Sequence, residues 1–262
     1  MSTEWQLRSP IALSELDALA DKYRDAYNAA DPWPHLVLDD LVDPAFVAAA
    51  EAQELDRAMG LEVYEDKTMV KAESAEVSGD AAKAILDSLL SPEFTAFLER
   101  LTGIADLIGD PSHVRAGLHV NKVGAFHALH RDFRRHPITQ LFNRINVIVF
   151  LNSDWKQEYG GELELWPANR SACAQRIRPD AGTVVIFEST ATSYHAIPEP
   201  VACPPERARL SLATRYYTEK PGPHDRKDMK IFVLRRPQDP LRIDFDKFKG
   251  IGTMLWNRLR SH

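Results

Sequence analysis

The chain has 262 residues, 44% of them hydrophobic, enough for a full core and sized for one large domain. Its 38 acidic and 32 basic side chains give a formal charge of -6 with no long run of either sign, which excludes a nucleic-acid or anionic-membrane surface built on bulk charge. Cys173 and Cys203 lack a C-x-x-C spacing and read as buried reduced thiols; no run of about 18 apolar residues occurs and MSTEWQLRSP lacks a basic, then apolar leader, so a cytoplasmic protein without a membrane partner is expected.

Helical patterns come first. Ser14 is placed to cap a helix through Leu16, Leu19, Ala20, Tyr23 and Tyr27, apolar at three- and four-residue spacing. The stretch WPHLVLDDLV alternates like a short strand, and Asp43-Pro44 then supplies an N-cap and a first-turn proline for a helix over residues 45–59. A strand-like run over 61–70 follows, then helices over 81–90 and 93–101, the second opened by Ser91-Pro92 and closed by Gly103. Residues 1–110 are thus expected to form a helical support region.

From Val114 the texture changes to short β-rich runs at 118–120, 146–151, 162–166, 175–177, 183–187 and 209–217, separated by turn signals such as Gly160-Gly161 and Pro179-Asp180-Ala181-Gly182. Such spacing predicts an antiparallel sandwich or barrel over 111–220, within a single domain spanning 1–262. In the last run Arg209, Ser211, Ala213 and Arg215 share one face, and Leu210, Leu212 and Thr214 the other. Residues 221–262 read as a C-terminal extension, with a final helix expected over 245–259.

The chemistry gathers in His130-Arg131-Asp132, His195 and Arg209-Leu210-Ser211. An H-x-D triplet alone is a weak signal, expected about once by chance in such a chain. Its physical sense is that residues i and i+2 of an extended segment point the same way, so His130 and Asp132 can reach one ion while His195 arrives from a distant strand. Two imidazoles and a carboxylate are the ligand set of a facial non-haem iron(II) site, which leaves positions open for a chelating cosubstrate and dioxygen. A guanidinium with a serine two residues on suits a carboxylate ligand.

Several segments in order, HRDFRRHPITQLFNRINVIVFLNSDWKQEYGGELELWPAN, PDAGTVVIFESTATSYHAIPEPV and ERARLSLATRYYT, resemble the 2-oxoglutarate/Fe(II)-dependent dioxygenases of the prolyl-4-hydroxylase-like group. The resemblance covers roughly residues 118–218 and implies a mainly β fold with flanking helices: a double-stranded β-helix (jelly-roll, cupin-like) core supported by the N-terminal α-helices. It gives Fe(II) to His130, Asp132 and His195, and the distal carboxylate of 2-oxoglutarate to Arg209 with Ser211. Many relatives carry a tyrosine before H-x-D that touches the cosubstrate; Asn121 is the nearest equivalent in this chain, where no tyrosine lies between Tyr64 and Tyr159, and its amide is expected to donate to the oxalyl end. Dioxygen as co-reactant and ascorbate as reductant are implied too. Because Asp132 supplies a carboxylate ligand, hydroxylation is favoured over halogenation.

Competing readings attach to the same residues. His130, Asp132 and His195 with a water would also describe a catalytic zinc hydrolase, but Arg209 and Ser211 then have no task. A non-catalytic jelly-roll binding module is the bland alternative, in which His130 and Asp132 are a polar loop pair, His195 a satisfied histidine, and Arg209 an ordinary ion-pair partner. Arg215 competes with Arg209 and is expected nearer the substrate or the outer rim. Arg131, Arg134, Arg135 and Arg144 are either a solvated loop or, in part, recognise an acidic group on the substrate. His113, His119, His127 and His136 read as structural or substrate-facing, Trp155 and Trp166 as core. A carboxylate-bearing small molecule is the expected substrate, with peptidyl proline as the alternative; oligomeric state is open.

Overall fold

The computed structural model describes residues 9–222 together with the backbone of 231–233. Four helices come first: α1 (Leu16–Ala29), α2 (Pro44–Gly60), α3 (Asp80–Leu89) and α4 (Pro92–Thr102). Local chemistry sets their ends. Asp43 accepts a hydrogen bond from the Ala45 N–H at 2.8 Å, and Ser91 one from the Phe94 N–H at 3.1 Å, each ahead of a proline. Gly103 closes α4 at φ +73, the left-handed region that favours glycine. Ser14 is not a cap: it lies in a 3-10 turn, Leu13–Glu15, and α1 starts after Glu15 without a side-chain cap bond.

The strands are β1 (His35–Leu38), β2 (Tyr64–Glu65), β3 (Met69–Ser74), β4 (Ile108–Gly109), β5 (Gly117–Asn121), β6 (Phe126–Arg131), β7 (Phe142–Phe150), β8 (Leu163–Trp166), β9 (Gln175–Ile177), β10 (Val184–Glu188), β11 (Tyr194–Ile197), β12 (Arg209–Thr218) and β13 (Ile231–Val233). The single run expected over 61–70 is a hairpin instead. Asp66 accepts from the N–H groups of Thr68 and Met69 and from the Thr68 hydroxyl, which turns the chain between β2 and β3. β4, β6, β11 and β13 have no counterpart among the predicted runs. The helix expected over 245–259 lies outside the described residues.

All pairings between named strands are antiparallel. One sheet runs β1-β10-β7-β12-β5-β3, and β3 continues into the second, β6-β11-β8-β9, so the sheets fold over one another as a jelly-roll. Side-chain parity builds two cores. Leu118, Val120, Val147, Val149, Ile186, Leu210 and Leu212 face outward onto Phe46, Ile85, Leu89, Phe94 and Phe97 of the helices. Phe150, Val185 and Phe187 face inward and meet Leu163, Leu165, Ile177 and Trp33 between the sheets. Each such buried apolar side chain contributes about 1.5–3 kcal/mol, so this alternation also fixes which face of β12 looks into the barrel. Among the described residues no helix is long and apolar enough to cross a membrane. Cys203 is buried, Cys173 is half-buried, and both are free.

Candidate metal centre and anion pocket

His130 ends β6, Asp132 follows it, and His195 sits opposite His130 on β11. One ligand atom from each lies within 4.8 Å of the others, and all three residues are buried. The His130 Nε2 is 3.8 Å from Asp132 Oδ1, and the His195 Nε2 is 4.0 Å from Asp132 Oδ2. The two rings are oriented alike. Nδ1 of His130 is 2.8 Å from the Ala128 carbonyl and Nδ1 of His195 is 3.1 Å from the Ser193 carbonyl. With each Nδ1–H donated to a carbonyl that can only accept, each Nε2 presents a lone pair toward Asp132. Two neutral imidazoles and a carboxylate converging this way fit a divalent transition-metal ion.

A bulge shapes this spot. His195 pairs with His130 but Ile197 pairs with His127, so β6 carries one extra residue there. The shift brings the His127 ring against that of His130 at 3.8 Å between centroids. The Phe187 ring meets the His195 ring edge-on at 5.1 Å. His195 is thus held between a backbone carbonyl and an aromatic edge.

Arg209 begins β12, is 3% exposed and pairs in register with Asn121 of β5. Its Nε donates to the Gly161 carbonyl at 2.6 Å, its Nη1 to Asn121 Oδ1 at 3.2 Å, and its guanidinium lies 4.7 Å from the Phe150 ring centroid. Burial lowers its pKa to about 9. No carboxylate faces it among the described residues. Such a desolvated, unpaired cation is a site prepared for an anion. Ser211, buried on the same face two residues on, is the cross-strand neighbour of Phe150 and His119. Asn121 therefore stands beside the guanidinium, with its oxygen engaged by Arg209.

Residues that carry no chemistry themselves set this pocket. Gly161 adopts φ +75, and a Cβ there would come within 2.9 Å of Arg209 Cδ. The Asn152 side chain accepts from the Leu210 N–H at 2.6 Å and donates to the Leu210 carbonyl at 3.1 Å, fastening β12 beside Arg209. Trp155 donates to the Gly160 carbonyl at 2.8 Å, holding the Gly160-Gly161 turn. The sequence marks Gly160-Gly161 as a turn, but its approach to Arg209 is visible only in the folded chain.

The remaining basic residues separate. Arg215 is not at an outer rim: its Nη2 is 3.5 Å from Asp132 Oδ1. Arg131 donates to the Ala191 carbonyl, Arg135 to the Gln140 carbonyl, and Arg144 pairs with Glu188 at 3.1 Å. These three are tied to the protein, which removes them as ready receptors for an acidic substrate group. His136 is structural, with Nε2 3.2 Å from Asp110 and Nδ1 accepting from the Ile138 and Thr139 N–H groups.

The jelly-roll thus brings two histidines and an aspartate together inside its barrel, a donor set that fits a non-haem metal ion, with a buried arginine that faces no carboxylate among the described residues on a neighbouring strand. Residues 116–217 match the family model of the 2OG-Fe(II) oxygenase superfamily. No curated protein matches the chain in sequence. Among solved structures, a Pseudomonas putida prolyl-4-hydroxylase is 18% identical with a TM-score of 0.54, over 78% of this chain and 98% of its own. A Trichoplax adhaerens prolyl hydroxylase in complex with a hypoxia inducible factor oxygen degradation domain peptide fragment is 17% identical with a TM-score of 0.56, over 84% of this chain and 95% of its own. A prolyl 4-hydroxylase from Phytophthora capsici is 16% identical with a TM-score of 0.52, over 95% of this chain and 74% of its own. Over residues 116–217 the chain is thus similar to the 2OG-Fe(II) oxygenase superfamily, a family that uses Fe(II), 2-oxoglutarate and O2, and the solved structures share its fold.

Proposed function

We propose that this oxygenase hydroxylates an unactivated C–H bond of a small molecule, with His130, Asp132 and His195 holding Fe(II), Arg209 with Ser211 receiving the distal carboxylate of 2-oxoglutarate, and Asn121 in the same cosubstrate pocket. The observation that carries this reading is the Arg209 guanidinium, buried and without a carboxylate partner among the described residues. A zinc hydrolase or a passive binding module has no use for such a group; a dicarboxylate cosubstrate does. When bound, the metal, 2-oxoglutarate and O2 would supply the oxidation: the cosubstrate loses CO2 and takes one oxygen atom of O2 to become succinate, and the substrate C–H takes the other as a hydroxyl. Phe150 and Phe187 keep the interior apolar and shield the bound cosubstrate from water. Ascorbate serves as reductant, and residues 1–262 act as one domain.

A second reading has support of its own: the Pseudomonas, Trichoplax and Phytophthora proteins are all described as prolyl hydroxylases. In that reading the substrate is a peptidyl proline. One assay addresses both. Purified protein with Fe(II) and ascorbate should convert 2-oxoglutarate to succinate, and Asp132→Ala should abolish the conversion. Product mass then discriminates: a gain of one oxygen on a free small molecule supports the first reading, and a gain confined to proline peptides the second. No succinate with Fe(II) under any condition sinks both.

A further inference from the structure

The inner face of β12 carries a second guanidinium that the cosubstrate reading leaves without a task. Arg209 and Arg215 are six residues apart on the same face of β12, their Cα atoms about 20 Å apart along the strand. Arg215 donates through Nε to Asn146 Oδ1 at 3.0 Å, and its Nη2 lies 3.5 Å from Asp132 Oδ1. Asn146 is the cross-strand partner of both Arg215 and Phe187, and the Phe187 ring packs on the His195 ring. Arg215 and Asn146 therefore lie beside the metal-ligand cluster, on the wall opposite β6.

The polar count of this wall does not balance. Asn146 is 4% exposed; its oxygen is engaged by Arg215, and its Nδ2 is buried without a hydrogen-bond partner. A buried donor left unpaired calls for an acceptor that the protein does not provide. Arg115 approaches from the loop before β5, stacks 4.1 Å over the Phe133 ring, and holds φ +60, a strained backbone for a residue other than glycine. It makes no ion pair among the described residues, while Arg215, Asp132 and Glu73 all act on its charge. The nearby carboxylates are already engaged: Glu73 by Lys71 at 2.5 Å, with His119 Nε2 at 3.9 Å, and Asp132 by its place among the metal ligands. The Arg215 guanidinium, held by Asn146, Asp132 and Tyr217, and the unpartnered Asn146 amide N–H thus lie beside the ligand cluster, with the Arg115 charge acting on the same groups.

We propose that Arg215, Asn146 and Arg115 form the substrate's anchor and bind a carboxylate group, which makes the substrate an organic acid whose target C–H lies a few bonds from that carboxylate. This rests on the iron and 2-oxoglutarate reading above. Guanidinium and amide N–H groups offer planar donors that a carboxylate accepts in parallel, and a primary amide of the same shape would turn its own N–H groups toward them. Discrimination between acid and amide follows from chemistry rather than size.

The test pairs acids with amides. Protein loaded with Mn(II) and 2-oxoglutarate is titrated calorimetrically with free and N-acylated amino acids and with their primary amides; succinate release with Fe(II) gives KM for the same compounds. At least one acid should bind tenfold or more tightly than its amide. In Arg215→Met that preference should fall to within about twofold, while Asn146→Asp, which sets a like charge against the carboxylate, should weaken the acid at least tenfold and the amide little. If no acid binds better than its amide, or if Arg215→Met weakens acid and amide equally, the anchor is refuted; in the second case Arg215 only positions Asp132. Should Arg215→Met lose metal or fail to fold, Asn146→Asp and Arg115→Gln decide alone, and an unchanged preference in both overturns the proposal. Failure of the wild-type protein to bind 2-oxoglutarate at all is a separate result: it removes the cosubstrate reading and this one with it.

Discussion

The Arg209 guanidinium donates to its cross-strand partner Asn121 at 3.2 Å and faces no carboxylate, and burial alone accounts for the fall of its pKa to about 9. The folded protein therefore holds a charge it would rather neutralise. By linkage the unfolded chain binds that proton more tightly, so Arg209 opposes folding below pH 9, and the opposition fades as pH rises above 9 toward the ordinary arginine range. An anion reverses the balance. In a thermal melt, 2-oxoglutarate with a divalent metal should raise Tm, by an amount equivalent to about 2.7 kcal/mol at a hundredfold excess over Kd. Arg209→Met should weaken 2-oxoglutarate binding ~100-fold or more, as expected for a buried charge pair broken on one side, yet leave the ligand-free Tm no lower than wild type. A large drop in ligand-free Tm would show that Arg209 is chiefly structural.

Gly161→Ala tests the turn behind that arginine. The added Cβ meets Arg209 Cδ at 2.9 Å at a φ of +75, so either the backbone or the arginine must move. The expected result is a folded protein, destabilised by about 1–2 kcal/mol in urea, whose KM for 2-oxoglutarate rises about tenfold. An unchanged KM would mean that the guanidinium position is not what sets cosubstrate affinity.

How much of this was legible in the sequence depends on which interaction is asked about. His130, Asp132, His195, Arg209 and Ser211 stand in readable motifs, and the structure brings the first three together and lines up the last two on one strand face. The strands that carry the histidines, β6 and β11, went unread because HALHRD and SYHAIPEP place polar ligands and a bulge where apolar alternation would mark a strand. Gly161 at Arg209, Asn152 at Leu210 and Asn146 at Arg215 could not be read at all. Each contact joins segments 48, 58 and 69 residues apart respectively, and only strand register brings them together.

Glu54 is a second buried charge, satisfied rather than waiting. It is fully buried in α2 and accepts the Ser78 N–H at 2.7 Å and the Gly79 N–H at 2.6 Å, fastening the N-terminus of α3 to α2. Glu54→Ala strands the buried Gly79 N–H, leaves the Ser78 N–H to water, and should cost about 1–3 kcal/mol of unfolding free energy, with kcat and KM of the remaining folded protein unchanged. Chemical denaturation followed by circular dichroism measures it. A loss under about 0.5 kcal/mol, the range of ordinary surface changes, would contradict the assignment.

His119 and Glu73 form a cross-strand pair between β5 and β3 that should give the protein a defined acid sensitivity. Burial first, then the neighbouring Lys71, lowers His119 to about 4, although Glu73 pulls it the other way. Burial alone would raise Glu73, but Lys71, His119 and Arg215 outweigh it and hold the carboxyl at about 2. As pH falls from 6.5 to 4 the unfolded chain takes up a proton that folded His119 refuses, so stability declines over that window. From 4.5 down to 2 the unfolded chain protonates Glu73 while the folded one keeps the carboxylate, and stability declines again. His119→Gln keeps a polar side chain in place, removes the first of these titrations and takes away one of the charges that hold Glu73 down. Its urea midpoint, measured every half pH unit, should therefore fall less steeply than wild type between pH 6.5 and 4. Parallel curves across the whole range would mean that His119 is free to protonate in the folded protein and that the Lys71–Glu73 pair does not control it.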